Sequence, residues 1–276
     1  MKPTLALLLE IIETLAPSSL AEGWDNVGLL VGARSRPCTS VLVGLDPTIE
    51  LLEEAIEKGS DTVITHHPAI FKALSNIDTD SPNGRFLEKA FSGKINVIAC
   101  HTNLDAAQGG INDHLAQSLG LQEIAPLQHS QASELPAIAR IGHYPQALEQ
   151  KEFLARVFHI LELDYVAATD NLPNRIQTVA VCGGSGSDFA EAALEKGADV
   201  YLTGEIKHST AIWARQAGLA LIDGTHYATE KAGMSHFAKR FSAAAKEHGL
   251  KIEISNTTKE TPPFVQLSRG RNDQKK

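Results

Sequence analysis

Apolar positions recur along the chain in two periods. In LALLLEIIETL, Leu5, Leu8, Leu9, Ile12 and Leu15 fall at helical spacing and Pro17 follows, which predicts an amphipathic first helix. Glu10 and Glu13 interrupt that run, so it does not read as a signal peptide. SVLVGLD is a short β-branched strand, TIELLEEAIEKG a helix with Ile49, Leu52, Ala55 and Ile56 on its apolar side and Gly59 at its end, and DTVITHH a second strand. Strand, helix, strand is a βαβ unit and calls for a parallel sheet. NVIACHTNLD supplies another strand and GGINDHLAQSLGL another helix. Residues 127–175 carry a weaker strand–helix–strand pattern that reads as an insert or the start of a second half.

The pattern repeats. SVLVGLDPTIELLEEAIEKGSDTVITHH (40–67) lies over TVAVCGGSGSDFAEAALEKGADVYLTGE (178–205) without a gap, matching Val41 to Val179, Val43 to Val181, Glu57-Lys58-Gly59 to Glu195-Lys196-Gly197, Asp61 to Asp199 and Thr65 to Thr203. The echo continues where VIACHTNLD ends a strand on His101 with Asp105 four residues on, and LIDGTHYATE ends one on His226 with Glu230 four residues on. The expected fold class is α/β with mainly parallel sheets. A first half over 1–126 carries His66, His67, His101 and Asp105, a second over 127–276 carries His226 and Glu230, and a metal site lies between them.

Chemistry follows from that spacing. On a helix leaving a strand, residues i and i+4 share a face, so an imidazole and a carboxylate converge on one cation. Open parallel sheets bind ligands beyond the carboxyl ends of their strands, where all these residues fall. Neighbours in a strand point opposite ways, so adjacent His66 and His67 suit two ions a few ångströms apart, and Pro68 fixes how the pair departs. Four imidazoles and two carboxylates for two divalent ions leave positions free for water and substrate, the layout of a two-metal hydrolytic site.

Composition narrows the field. In 276 residues, 43% hydrophobic and 21% charged residues describe a globular chain with room for one large core or two smaller ones. No stretch reaches the ~18 uncharged apolar residues of a membrane span, so a soluble, cytoplasmic protein with no membrane partner is expected. Three separated cysteines, Cys38, Cys100 and Cys182, offer neither a disulfide framework nor a zinc knuckle. A net charge of -8 argues against coating duplex nucleic acid, and the basic run SRGRNDQKK reads as a tail.

At WDNVGLLVG, ITHHPAIF, CHTNLDAAQGGIND, VAVCGGSG, DVYLTGEIKH and IDGTHYATE the chain resembles the Nif-three-like dinuclear-metal proteins, many of them named GTP cyclohydrolase type-two homologues. The resemblance spans nearly the whole chain. It implies metal ligands at His66, His67, His101, Asp105, His226 and Glu230, the same six that spacing picks out. It further implies two interlinked α/β halves and a toroidal homohexamer with its metal sites facing the inner cavity. One departure is His208 followed by Ser209, where similar proteins often carry a His-His or Tyr-His pair. The chain also lacks the long insert of larger members.

Weaker candidates read structurally. Asp25 and Asn26 favour a turn-forming Asx pair over a cavity lining, and Gly183-Gly184-Ser185-Gly186 favours a tight βα turn over an anion cradle. Glu205 and Lys207 fall at places corresponding to the His66-His67 end of the first half, divided evenly between substrate contact and a solvated loop. His114, His129, His143, His159, His236 and His248 show no partner pattern, and burial in a strand accounts for Cys100. The expected function is metal-dependent hydrolysis of a phosphoester, nucleotide or cyclic amide by water whose pKa two ions lower, with Glu230 or Asp105 bridging them. The alternative is a non-catalytic metal-binding regulatory, chaperone or scaffold protein. The ligand set suits Zn, Fe, Mn, Co or Ni.

Overall fold

The structure, a computed structural model, describes residues 3–127 and 137–265. The basic run at 268–276 and His129 lie outside them. The chain runs through α1 (Leu5–Leu15), β1 (Gly28–Val31), β2 (Ser40–Gly44), α2 (Ile49–Lys58), β3 (Thr62–Thr65), α3 (Pro82–Ser92), β4 (Asn96–Ala99), α4 (Thr102–Ala106), α5 (Ile111–Ser118) and β5 (Gln122–Pro126). It continues through β6 (Arg140–Glu149), α6 (Gln150–Leu161), β7 (Ala167–Ala168), β8 (Arg175–Ser185), α7 (Ala190–Glu195), β9 (Val200–Gly204), α8 (His208–Ala217), β10 (Ala220–Asp223), α9 (His226–Glu247) and β11 (Glu253–Asn256). Among the described residues no helix is long and apolar enough to cross a membrane.

Two mixed sheets form, in the orders β1-β4-β3-β2-β11 and β5-β6-β8-β9-β10-β7. The runs β11-β2-β3-β4 and β8-β9-β10 are parallel. Each ends on an antiparallel edge strand, β1 beside β4 and β7 beside β10. The chain order is the same in both units, an edge strand and then strand–helix–strand–helix–strand, as a duplication of the first unit would give. The expected α/β class is found. Opposite the edge strand the units differ: β11, from the far end of the chain, lies parallel to β2, whereas β6 lies antiparallel to β8. The chain therefore crosses between sheets twice, since β5 pairs in the second sheet and β11 returns to the first.

The strongly periodic elements form where the sequence places them. Thr48 caps α2 by accepting from the Leu51 N–H at 3.1 Å, and Gly59 ends it in the left-handed region at φ 70°, where a side chain would be strained. One face is corrected. The buried side of α2 carries Leu51, Leu52, Glu54 and Ala55, while Ile56 is half exposed. The helix is rotated to bring Glu54 against the chain after β11, a contact more than 200 residues away that local periodicity cannot register.

The 22-residue α9 joins the two sheets. Its Met234, Phe237, Phe241 and Ala245 pack with Leu5, Leu8, Ile11 and Ile12 of α1 over the first sheet. At Gly233 a methyl group would stand 2.7 Å from the Ile111 Cδ1 and 3.1 Å from its Cα, so α9 and α5 pack closely there. Burial pushes the thiols of Cys38 and Cys182 up and that of Cys100 up to about 12, which leaves them as inert core side chains.

Glu54, only 2% exposed, anchors the return of the chain. It accepts from Lys58 Nζ at 2.7 Å, the Thr258 N–H at 3.0 Å and the hydroxyls of Thr257 and Thr258. Burial alone would raise its pKa. Lys58, Thr257 and Thr258 together outweigh burial and hold it at about 2. Its stabilising effect is therefore complete above the ordinary glutamate pKa and is lost as pH falls from there towards 2. Glu54→Ala leaves the Thr258 N–H and two hydroxyls without their acceptor and should cost about 2 to 3 kcal/mol in urea unfolding at pH 7, with the difference from wild type shrinking as the pH is lowered.

Candidate metal centre

The six residues read from the sequence come from both sheets. β3, β4 and β10 stop at Thr65, Ala99 and Asp223, and His66-His67, His101 and His226 follow at their carboxyl ends. Past the end of β3 the backbone leaves the extended form, and the N–H groups of His66 and His67 both donate to the Leu45 carbonyl, at 3.1 and 3.0 Å. The two rings therefore face one pocket, centroids 5.0 Å apart, where an extended pair would diverge. The ligand atoms of His66, His67 and His101 lie within 4.8 Å of one another, and so do those of His67, His226 and Glu230. The two groups share His67.

Each imidazole is oriented through Nδ1. That atom lies 2.8 Å from the Cys100 carbonyl in His66, 2.7 Å from Asp46 Oδ1 in His67, 2.9 Å from Asp25 Oδ1 in His101 and 3.2 Å from Glu205 Oε1 in His226. With Nδ1–H donating to these acceptors, the neutral ring keeps its Nε2 lone pair and points it inward, the arrangement in which outer carboxylates hold metal-ligating histidines. The inward atoms crowd together. Glu230 Oε2 is 3.2 Å from His226 Nε2 and 3.3 Å from His67 Nε2, Glu230 Oε1 is 3.6 Å from His66 Nε2, and the Nε2 atoms of His67 and His226 are 3.1 Å apart.

Whether this set suits a cation is tested by what it leaves unpaired. Among the described residues, the buried side-chain atoms without a hydrogen-bond partner include His66 Nε2, Asp105 Oδ1 and Glu230 Oε2, all three at this point. Native folds rarely bury such atoms unsatisfied without an ion, a water or a catalytic role. Two ligands ~2.1 Å from one ion at near a right angle stand about 3 Å apart, as the inward atoms do. The residues fit divalent ions held by imidazole and carboxylate.

Electrostatics agree in direction. Burial disfavours the charged form of His66, yet Asp105 and Glu230 outweigh it and raise its pKa. At His67, burial is outweighed by Asp46 and Glu230, which lift it to about 10. The Glu230 contact, acting against burial, lifts His226 to about 8. Burial raises Asp105 although His66 opposes it, whereas His66, His226 and His67 overcome burial at Glu230 and hold it well below the usual carboxylate range. Asp105 and Glu230 thus favour positive charge on the imidazoles that face them.

The expected pairs behave differently. His226 and Glu230 meet across one turn of α9 as the i, i+4 spacing requires. Asp105, on the short helix after His101, turns to His66 Nε2 at 3.6 Å and belongs to neither three-residue group. His208 opens α8 as an exposed residue and belongs to neither three-residue group, and Lys207 pairs with Asp188 at the surface. His114 and His236 stack on each other 4.3 Å apart, outside the site.

The residues behind the imidazoles carry little signal in the sequence. Asp25 does form the expected turn, its Oδ1 accepting the Asn26 N–H at 2.7 Å, but the same carboxylate also holds His101 and accepts the Thr102 N–H at 3.0 Å. Burial is outweighed by His101 and Thr102, which hold Asp25 at about 2. Asp46 has no local mark at all. Glu205 is neither free loop nor direct ligand: it holds His226 from a left-handed backbone at φ 51°, and Thr225 beside His226 is strained likewise at φ 62°. The glycine-rich turn is no anion cradle, because the N–H groups of Gly183, Gly184 and Gly186 are taken by Asn112 Oδ1, Thr229 Oγ1 and Thr203 Oγ1 at 2.6, 3.0 and 3.0 Å. Gly184 instead makes room for a ligand, since a methyl group there would lie 2.1 Å from Glu230 Oε1. Trp24 and Phe71 stand edge-on to His101, at 6.0 and 6.2 Å between ring centroids, and are 57% and 46% exposed.

A two-sheet α/β fold with a histidine- and carboxylate-lined pocket between the sheets, of a composition that could hold a cation, defines the class. The chain belongs to the Duf34/NIF3 (NGG1p interacting factor 3) family, whose model matches residues 3–263. A Clostridium acetobutylicum protein named GTP cyclohydrolase 1 type 2 homolog is 35% identical over 261 residues, covering 93% of this chain and 96% of its own. The solved structure of a Bacillus cereus protein related to NIF3 superposes with TM-score 0.88 at 25% identity, over 97% of this chain and 100% of that one. A Bacillus subtilis relative of the same name as the clostridial protein, 27% identical, aligns over 367 residues with 94% of this chain and 98% of its own, so it is the longer protein.

Two substitutions test the outer structure. Asp25→Ala removes the acceptor that fixes the His101 tautomer and should weaken metal affinity ~10- to 100-fold in competition with a chromophoric chelator. Gly184→Ala strains a backbone at φ 66° and displaces Glu230, so elemental analysis should find metal content well below wild type although the substitution adds one methyl group.

Proposed function

We propose that the chain is a dinuclear metal-dependent hydrolase acting on a phosphoester, nucleotide or cyclic amide, with His66, His67, His101, Asp105, His226 and Glu230 as its ligands. The observation that carries this reading is the convergence of unpaired buried Nε2, Oδ1 and Oε2 atoms on one point. Two overlapping three-residue groups sharing His67 support two ions rather than one. When bound, the ions supply Lewis acidity and a nucleophile at neutral pH. Glu230 directs one oxygen towards His66 and the other towards His67 and His226, so it is the carboxylate suited to bridging. Asp46, Asp25 and Glu205 keep the imidazoles in register, and a cleft of about 750 Å³ opens beside His67 and His226 with room for a substrate. The name of the clostridial relative supports nucleotide or cyclic-amide hydrolysis within this class. The ring-shaped homohexamer and a cytoplasmic location belong to the same proposal.

A second reading, a metal-binding regulatory, chaperone or scaffold protein, has its own support. His226 and Glu230 sit on α9 while His66, His67, His101 and Asp105 follow strands of the first sheet, so ions there would tie the sheets together without any turnover.

Purified protein should hold about two divalent ions per chain by elemental analysis, and stripped protein should lose all hydrolysis of a panel of phosphoesters, nucleotides and cyclic amides. Glu230→Asp shortens the bridge while keeping the charge, so it should retain most of the metal and a melting temperature close to wild type but lose ~10²-fold in turnover, about 3 kcal/mol in the barrier. A fully metallated wild type that turns over nothing in the panel would leave the scaffold reading. Light scattering at micromolar concentration should give six times the mass of one chain.

A further inference from the structure

The cleft beside His67 and His226 has a character that the metal ligands alone do not set. Leu45, Leu161, Leu163, Tyr165, Tyr227 and Phe264 make its walls predominantly apolar. Asp46, Glu162, Glu205 and Asp223 also line it, and among the described residues Lys231 is its one lysine or arginine. That lysine is occupied, 3.2 Å from Glu162 Oε2 and 5.8 Å from the centroid of the Tyr227 ring. No arginine lines the cleft, so the forked donor that recognises phosphate is missing there among the described residues.

The charge balance of the centre points the same way. Asp105 and Glu230 face the cation position, and Asp25, Asp46 and Glu205 hold the imidazoles around it. Glu162 and Asp223 add to this on the cleft side, with only Lys231 against them. Along those walls a polyanion meets carboxylates and no free lysine or arginine, whereas an uncharged body meets apolar side chains.

Resting on the hydrolase reading, we infer that the substrate is uncharged in the part that enters the cleft: a cyclic amide or imide with a flat apolar body, and not a nucleoside triphosphate. The ring body lies among Tyr165, Leu163 and Phe264, and its carbonyl reaches the end of the cleft at His67 and His226. Hydrolysis then needs no reagent but water. The carbonyl carbon–nitrogen bond breaks, the water oxygen bonds to carbon, and the proton passes to the leaving nitrogen, opening the ring to an amino acid or amide acid. The product carries a new carboxylate, and the acidic lining favours its release.

Calorimetric binding to metal-loaded protein separates the possibilities, with a phenyl-substituted hydantoin and GTP as probes. The hydantoin should bind at least tenfold more tightly than GTP. Tyr165→Ala and Phe264→Ala, which touch neither the ligands nor the groups that orient them, should each weaken hydantoin binding at least fivefold with metal content unchanged. Glu162→Lys should narrow the gap by strengthening GTP binding several-fold. Tighter binding of GTP than of hydantoin to the wild type, or hydantoin binding indifferent to both aromatic substitutions, overturns the inference. The outcomes remain distinct from those of the function itself. Hydantoin bound in the cleft with no turnover of any amide defeats the hydrolase reading and keeps the cleft assignment, while turnover of GTP in preference to amides keeps the hydrolase and defeats the cleft assignment.

Discussion

Two carboxylates buried at the junction of two sheets set the terms for the rest of the molecule. Asp105 and Glu230 are 6% and 3% exposed, and among the described residues no lysine or arginine pairs with either. Burying a charge without compensation costs several kcal/mol, so the fold must bring positive charge to them. It does so with four imidazoles whose other nitrogens are held from behind. The apparent excess of acid around the histidines is thus a means of orientation: each outer acceptor chooses a tautomer and aims a lone pair.

Much of this is legible in the sequence because it follows local rules. Strand ends mark where ligands gather in parallel sheets, the repeat doubles the signal, and His226 with Glu230 needs only the pitch of a helix. The orienting residues are not legible because nothing local marks them. Asp25 reaches His101 across 76 residues and Asp46 reaches His67 across 21, from a loop and a strand end whose composition suits ordinary turns. The repeat places Glu205 correctly, opposite His67, but its role depends on a left-handed backbone that a glutamate seldom adopts. Asp105 shows the converse failure. Its spacing from His101 is right, yet the short α4 aims it at His66.

The fold is legible to a similar depth. The parallel core of each sheet is written in β-branched runs and capped helices, whereas its borders are decided by tertiary contacts. Ile56 of α2 looks like a core residue by period and is half exposed, because the chain following β11 claims the neighbouring face through Glu54. The two units agree where the repeat is strong, and differ at the place where β11 stands in one and β6 in the other.

The position of β11 sets an order of events during synthesis. Ser40 to Val43 of β2 pair with Glu253 to Asn256, so the outer edge of β2 has no partner until more than 200 further residues have been made. Contacts of such sequence separation close late, and an unpaired strand edge is a template for the wrong partner. The second sheet closes from residues 122–223 alone. The first sheet therefore waits, and the histidine–carboxylate pocket is completed only once α9 has been drawn across to bring its last strand home.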